Sequence, residues 1–152
     1  MTLAWWLGCT GNTPPPTEPE PCADPRGVTL GTGANAFAPL EPGGTLALVH
    51  GPQGGYHLPL AVRACATADQ VQLHFTGQID GAPVVDVRLE YPLIVEDACC
   101  SVALDVYGYL FADTGTTPLD LVGATIALEV ELDDGAGVVT DAVELAIGSP
   151  VE

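Results

Sequence analysis

The sequence predicts an all-β fold, an antiparallel immunoglobulin-like β-sandwich, and three observations predict it. Apolar residues recur with a period of two over most of the chain after Val28, glycine- and proline-rich turn signals return every 8 to 15 residues, and no stretch holds a 3.6-residue period for three turns. About eight short strands separated by such turns build a sandwich, with a jelly roll or small barrel as the alternative.

The first strand reads near residues 28–31, and the next two at 45–50 (TLALVH) and 56–65 (YHLPLAVRAC). Val71, Leu73, Phe75 and Ile79 then alternate with Gln72, His74, Thr76 and Gln78, so one face is apolar and the other wet. Asp80-Gly81 supplies a tight turn into a partner strand, where Val85, Val87, Leu89 and Tyr91 alternate with Asp86, Arg88 and Glu90. A further strand covers about 100–111, and a turn of helix fits near Leu119–Val122. The clearest hairpin closes the domain. Ile126, Leu128, Val130 and Leu132 alternate with Thr125, Ala127, Glu129 and Glu131, Asp133 to Gly137 reverses the chain, and Val139, Val143, Leu145 and Ile147 return. The antibody hallmarks are absent, since both tryptophans, Trp5 and Trp6, precede the domain.

Composition narrows the function. The 152 residues carry 20 acidic side chains against three arginines and no lysine, a formal charge of −17. Lysine chemistry is therefore excluded, and so is nucleic-acid binding, which needs a cationic surface. With 47% apolar residues and only 15% charged, the chain nevertheless has the material for a core.

The front of the chain has a different character. Residues 1–8 are apolar and end at Cys9, and residues 10–21 hold five prolines with no aliphatic side chain. Such a stretch is a tether, spanning up to about 37 Å at ~3.1 Å per residue. The order of apolar run, Trp6-Leu7-Gly8-Cys9 and proline-rich spacer resembles the front of a bacterial lipoprotein. The resemblance implies that residues 1–8 are the tail of a longer signal peptide, with Met1 internal to it. It also implies that Cys9 carries diacylglycerol, and that residues 9–24 tether a domain at 25–150. Two acyl chains anchor stably. Thr10, rather than an aspartate, after the cysteine points by the same resemblance to the outer membrane. The segment Leu48–Leu58 (LVHGPQGGYHL) is also similar to uncharacterised secreted bacterial lipoproteins, and that similarity implies no activity.

Export would put the other cysteines in an oxidising compartment. With Cys9 assigned to lipid, Cys22, Cys65, Cys99 and Cys100 remain. Neighbours in a strand point to opposite faces, so Cys99 does not pair with Cys100. Cys65 is expected to join one of the two and Cys22 the other.

Catalytic motifs are missing. Ser101 and Ser149 are the only serines, neither in a nucleophile elbow, and no zinc-protease, phosphate-loop or dinucleotide motif occurs. We therefore expect no enzyme and no required cofactor. Two ligand candidates remain. His50 and His57 flank a glycine-rich loop and, if they faced one another across a hairpin, would share copper or zinc with His74 or an acid. Calcium is the other, with Asp133, Asp134, Asp97, Asp113 and Asp120 near expected loops. The expected protein is thus a monomeric, membrane-anchored envelope protein with a protein or envelope-polymer partner. A metal or ligand carrier in the same compartment is the alternative.

Overall fold

The computed structural model describes residues 25–52, 54–111 and 115–151. The signal-like run, Cys9, the tether with Cys22, and Asp113 lie outside the described residues.

Among the described residues ten strands form: β1 (Gly27–Thr32), β2 (Ala38–Pro39), β3 (Thr45–His50), β4 (Tyr56–Cys65), β5 (Gln70–Ile79), β6 (Ala82–Pro92), β7 (Ile94–Val95), β8 (Cys100–Tyr109), β9 (Thr125–Asp133) and β10 (Val138–Val151). One 3-10 turn, Pro118–Leu121, stands before β9. It matches the expected helical turn to within a residue. The short strands β2 and β7 were not expected, because two residues leave no alternation to read.

Hydrogen bonding orders the strands β2-β1-β4-β8-β7 in one layer and β3-β10-β9-β5-β6 in the other. The layers are continuous only where β3 and β4 meet, at Val49 opposite His57 and His50 opposite Tyr56. The sheet therefore curls over on itself. All pairings are antiparallel except that of β3 with β10. Set in chain order, β1-β4-β8-β7 and β6-β5-β9-β10 reproduce the two sheets of an immunoglobulin-like sandwich with one additional strand beside the second sheet.

The alternation read from sequence explains what lies between the layers. Leu30, Leu58, Leu60 and Val62 from the first layer pack with Leu48, Leu73, Phe75, Ile126, Leu128, Leu132, Leu145 and Ile147 from the second, all nearly inaccessible to water. Glycine admits the closest packing. A Cβ on Gly77 would stand 3.0 Å from side-chain atoms of Ile126, Leu128 and Val85, and one on Gly108 would stand 2.7 Å from Leu60.

Turn chemistry fixes the registers. Asp80 and Gly81 both have positive φ, 50° and 79°, as a two-residue hairpin between twisted strands requires. At the β9–β10 hairpin, Asp133 Oδ1 accepts from the Gly135 amide at 2.8 Å. The side chain of Asp134 accepts from the amides of Ala136 and Ala68 and from Arg26, whose Nη2 lies 2.5 Å away. That carboxylate therefore joins the start of β1, the β4–β5 turn and the β9–β10 turn. These amides, Ala136 foremost and then Ala68, together with Arg26, hold its pKa below the usual carboxylate value.

Cys65 and Cys100 are register partners on β4 and β8 and form a disulfide, which settles one of the two expected bridges. Cys99 is disulfide-bonded as well. The expected role of Cys22 falls outside the described residues.

Candidate functional site

β1 begins beside Cys65, its partner for Gly27. The described chain therefore enters the sandwich at the disulfide end, which we call the tether pole. β8 runs from Cys100 at that pole to Tyr109 at the opposite one, about 30 Å away at ~3.3 Å per residue. The opposite pole carries the aromatic side chains.

Their placement follows from strand register. Tyr109 stands opposite His57, and Tyr107 opposite Pro59, so these positions share the outer face of the first layer. Gly108 between them turns inward and makes room for Leu60, which leaves both tyrosines outside. Just before them β8 carries one extra residue relative to β4, and Asp105 takes a positive φ of 54° there. The Tyr107 hydroxyl donates to Asp105 Oδ2 at 3.3 Å. The charge of Asp105, then partial burial and that hydrogen bond, raise the Tyr107 pKa, so the phenol stays protonated.

His57 lies under this pair. It is 3% exposed, and its ring centroid lies 4.4 Å from that of Tyr107, edge to face, and 6.1 Å from that of Tyr109. Tyr109 is 60% exposed. Burial lowers the His57 pKa, opposed in part by the charge of Asp105, so the imidazole is held neutral. His57 is the single polar residue buried as a whole among the described residues, although the side chain of Asp134 is nearly covered as well.

The residues considered for metal binding are not brought together. His50 stands opposite Tyr56 and His57 opposite Val49, one position out of register, so the two histidines project to opposite faces. His74 belongs to the other layer, where Nε2 lies 2.8 Å from Asp86 and Nδ1 3.2 Å from Glu131. Its carboxylates sit at opposite nitrogens and cannot converge on one ion. Asp133 and Asp134 are occupied by the hairpin amides and Arg26. Asp97 accepts from the Cys99 and Cys100 amides, and Asp120 from Thr117. Among the described residues no group of three His, Cys, Asp or Glu side chains is placed to hold a metal.

A shallow groove of about 430 Å³ on the outer face of the second layer is lined by Gln72, His74, Arg88, Glu90, Glu131 and Asp133. It is an open shelf of mixed charge, and neither here nor elsewhere among the described residues does a buried side-chain nitrogen or oxygen lack a partner.

No protein-family model matches the chain, and no curated protein does. Among solved structures, a similar one is the CooA pilin subunit from enterotoxigenic Escherichia coli. It is 10% identical, with a TM-score of 0.33, over 80% of this chain and 98% of that one. At that score the likeness carries no functional argument.

Sequence reading missed the aromatic pole because Tyr107 and Tyr109 read there as two positions of an ordinary strand. A signal was present. In the run Val106-Tyr107-Gly108-Tyr109 the tyrosines occupy one parity, and glycine holds the other where a core residue belongs.

Proposed function

We propose that this chain is a non-enzymatic cell-envelope protein, anchored through a lipid on Cys9 in the outer membrane. It holds an immunoglobulin-like sandwich away from the surface for adhesion, assembly or scaffolding. The observation that carries this reading is the polarity of the domain. The chain emerges at the tether pole, where the Cys65–Cys100 bridge fastens β4 to β8, and the aromatic cluster lies at the far end. A protein meant to present a surface outward is built that way round.

Two further features support the reading. A cross-strand disulfide suits an exported protein, and the apolar run, Gly8-Cys9 and the proline-rich spacer occur in the order an anchored one needs. The acidic skin repels anionic lipid, so residence at a membrane calls for a covalent anchor.

Mass spectrometry of the protein extracted from membranes tests this. The expected N-terminal peptide begins at Cys9 and carries diacylglycerol, and Cys9→Ser moves the protein to the soluble fraction. An unmodified peptide containing residues 1–12 overturns the proposal.

A further inference from the structure

We propose that the aromatic pole is a docking surface for a cationic protein, whose lysine or arginine side chains lie on the ring of Tyr109 beside Tyr107 and the carboxylate of Asp105. This gives a partner chemistry to the outward face of the function proposed above, and it rests on that reading only for the setting in which the partner is met.

The pole joins an open aromatic ring to a negative charge. Tyr109 is 60% exposed, and the ring of Tyr107 lies 6.0 Å from it, centroid to centroid, with the planes inclined at 58°. A cation over an exposed tyrosine ring is attracted by the electron-rich face at up to about 6 Å from the centroid. The β8 bulge supplies the carboxylate beside the rings. Asp105 takes its positive φ there, and its exposed side chain accepts the Tyr107 hydroxyl at 3.3 Å. The ring feels that charge, which is the foremost cause of the raised Tyr107 pKa. The potential over the tyrosines is therefore negative.

No arginine of the chain offsets it. Arg26 pairs with Asp134 at the tether pole, Arg63 stands opposite Thr29 and pairs with Glu96 and Asp97, and Arg88 lies on the other layer opposite His74 and beside Asp86. Asp80 in the β5–β6 turn and Asp120 in the 3-10 turn add to the negative charge at the aromatic end. With a formal charge of −17 over the whole chain, the field draws a cationic partner toward this pole and repels anionic polymers and second copies of the chain. A neutral ligand gains nothing from it.

The same openness selects a polypeptide over a free small cation. Two rings and one carboxylate exposed to water do not enclose a head group, so a single contact is weak. Several lysines or arginines carried on one chain add such contacts to the attraction of the field.

Proton NMR titration of the full chain in a nonionic detergent, at about 150 mM salt, tests the proposal with N-acetylated, amidated tetralysine as the probe and tetraglutamine as its uncharged counterpart. Upfield ring-current shifts of the lysine ε-methylene protons are expected, with through-space contacts to the Tyr109 ring, and tetraglutamine should give neither. Tyr109→Leu should weaken binding about two- to fivefold and shrink the ring-current shifts, whereas Tyr109→Phe keeps both. Asp105→Asn, whose new side chain tolerates the positive φ, should weaken binding by a similar factor. Glu129→Gln removes the same charge from the other layer and should leave the affinity unchanged. Equal losses in Glu129→Gln and Asp105→Asn, or unchanged binding in Tyr109→Leu, would mean diffuse attraction to the acidic skin and overturn the site. So would absent ring-current shifts, an equal response to tetraglutamine, or a Tyr109-dependent dimer in sedimentation velocity, which assigns the face to a second copy. An unlipidated Cys9 would overturn the anchor and leave this result standing.

Discussion

Single side chains do unequal work in this domain. Phe75 is the largest fully buried side chain among the described residues, and Phe75→Ala leaves a cavity its neighbours cannot fill. The expected loss is about 3–5 kcal/mol in urea or guanidinium unfolding. Two kinds of titrating residue shape the pH dependence. Asp134 and Asp97 have pKa values held below 3.8 by backbone amides and an arginine. Their contribution is full above the unfolded value and disappears as pH falls through the folded one, so the native state should weaken progressively below about pH 4. Asp134→Asn should flatten that acid limb in thermal scans between pH 2 and 5. His57 acts in a higher window. Its folded pKa lies below 6.5, so the native state binds fewer protons there than the unfolded chain. Stability should therefore rise with pH up to about 6.5 and level off, and His57→Phe should remove that slope. The fate of His57 also shows where residue-level reading stops. Its presence beside a glycine-rich loop was plain in the sequence. Which face it took depended on a one-residue register that alternation alone does not fix across a loop.

Strands and turns were far more legible. The terminal hairpin, the Asp80-Gly81 turn and the inward residues of β5, β6 and β9 follow directly from a period of two, because each strand has one dry face and one wet face. β4 was harder to orient. Its run from Leu58 to Val62 is buried almost throughout, since β1 and β8 flank it and the loop at Gly51 covers His57. Pairing order was not legible, because the parallel contact of β3 with β10 joins residues a hundred positions apart. Cysteine parity narrowed the partners of Cys65 to two, and only the register of β4 on β8 distinguishes Cys100 from Cys99. That bridge closes a loop of 35 residues. Replacing both Cys65 and Cys100 by serine should cost about 2–4 kcal/mol in chemical denaturation, chiefly by freeing the unfolded chain. Gly108→Val tests packing at the other end of the same strand pair. It forces Leu60 to move and should cost about 1–3 kcal/mol.

At the scale of the whole molecule, charge governs behaviour. The carboxylates Asp86, Glu90, Glu129, Glu131 and Glu144 lie on the wet face of the second layer, spread over β6, β9 and β10 rather than gathered in a tail. Their mutual repulsion works against compactness and is screened over about 8 Å at physiological salt. Raising sodium chloride from 10 to 500 mM should therefore raise the melting temperature, measured by calorimetry at pH 7. A falling or unchanged value would mean that ion pairs such as Arg63 with Glu96 outweigh the repulsion.

The pairing of β1 with β4 has a mechanical consequence. Gly27 to Gly31 lie against Cys65 to Ala61 in five consecutive register pairs, with β1 running from the tether pole toward the aromatic pole. A load drawn between Pro25 and a grip at Tyr109 acts along the strands, at right angles to the hydrogen bonds that join them. Those bonds are then strained together in shear instead of being opened one at a time. Behind them the covalent link between Cys65 and Cys100 prevents β4 and β8 from sliding apart. The arrangement resists tension along one axis, that of a molecule held at one end and pulled at the other.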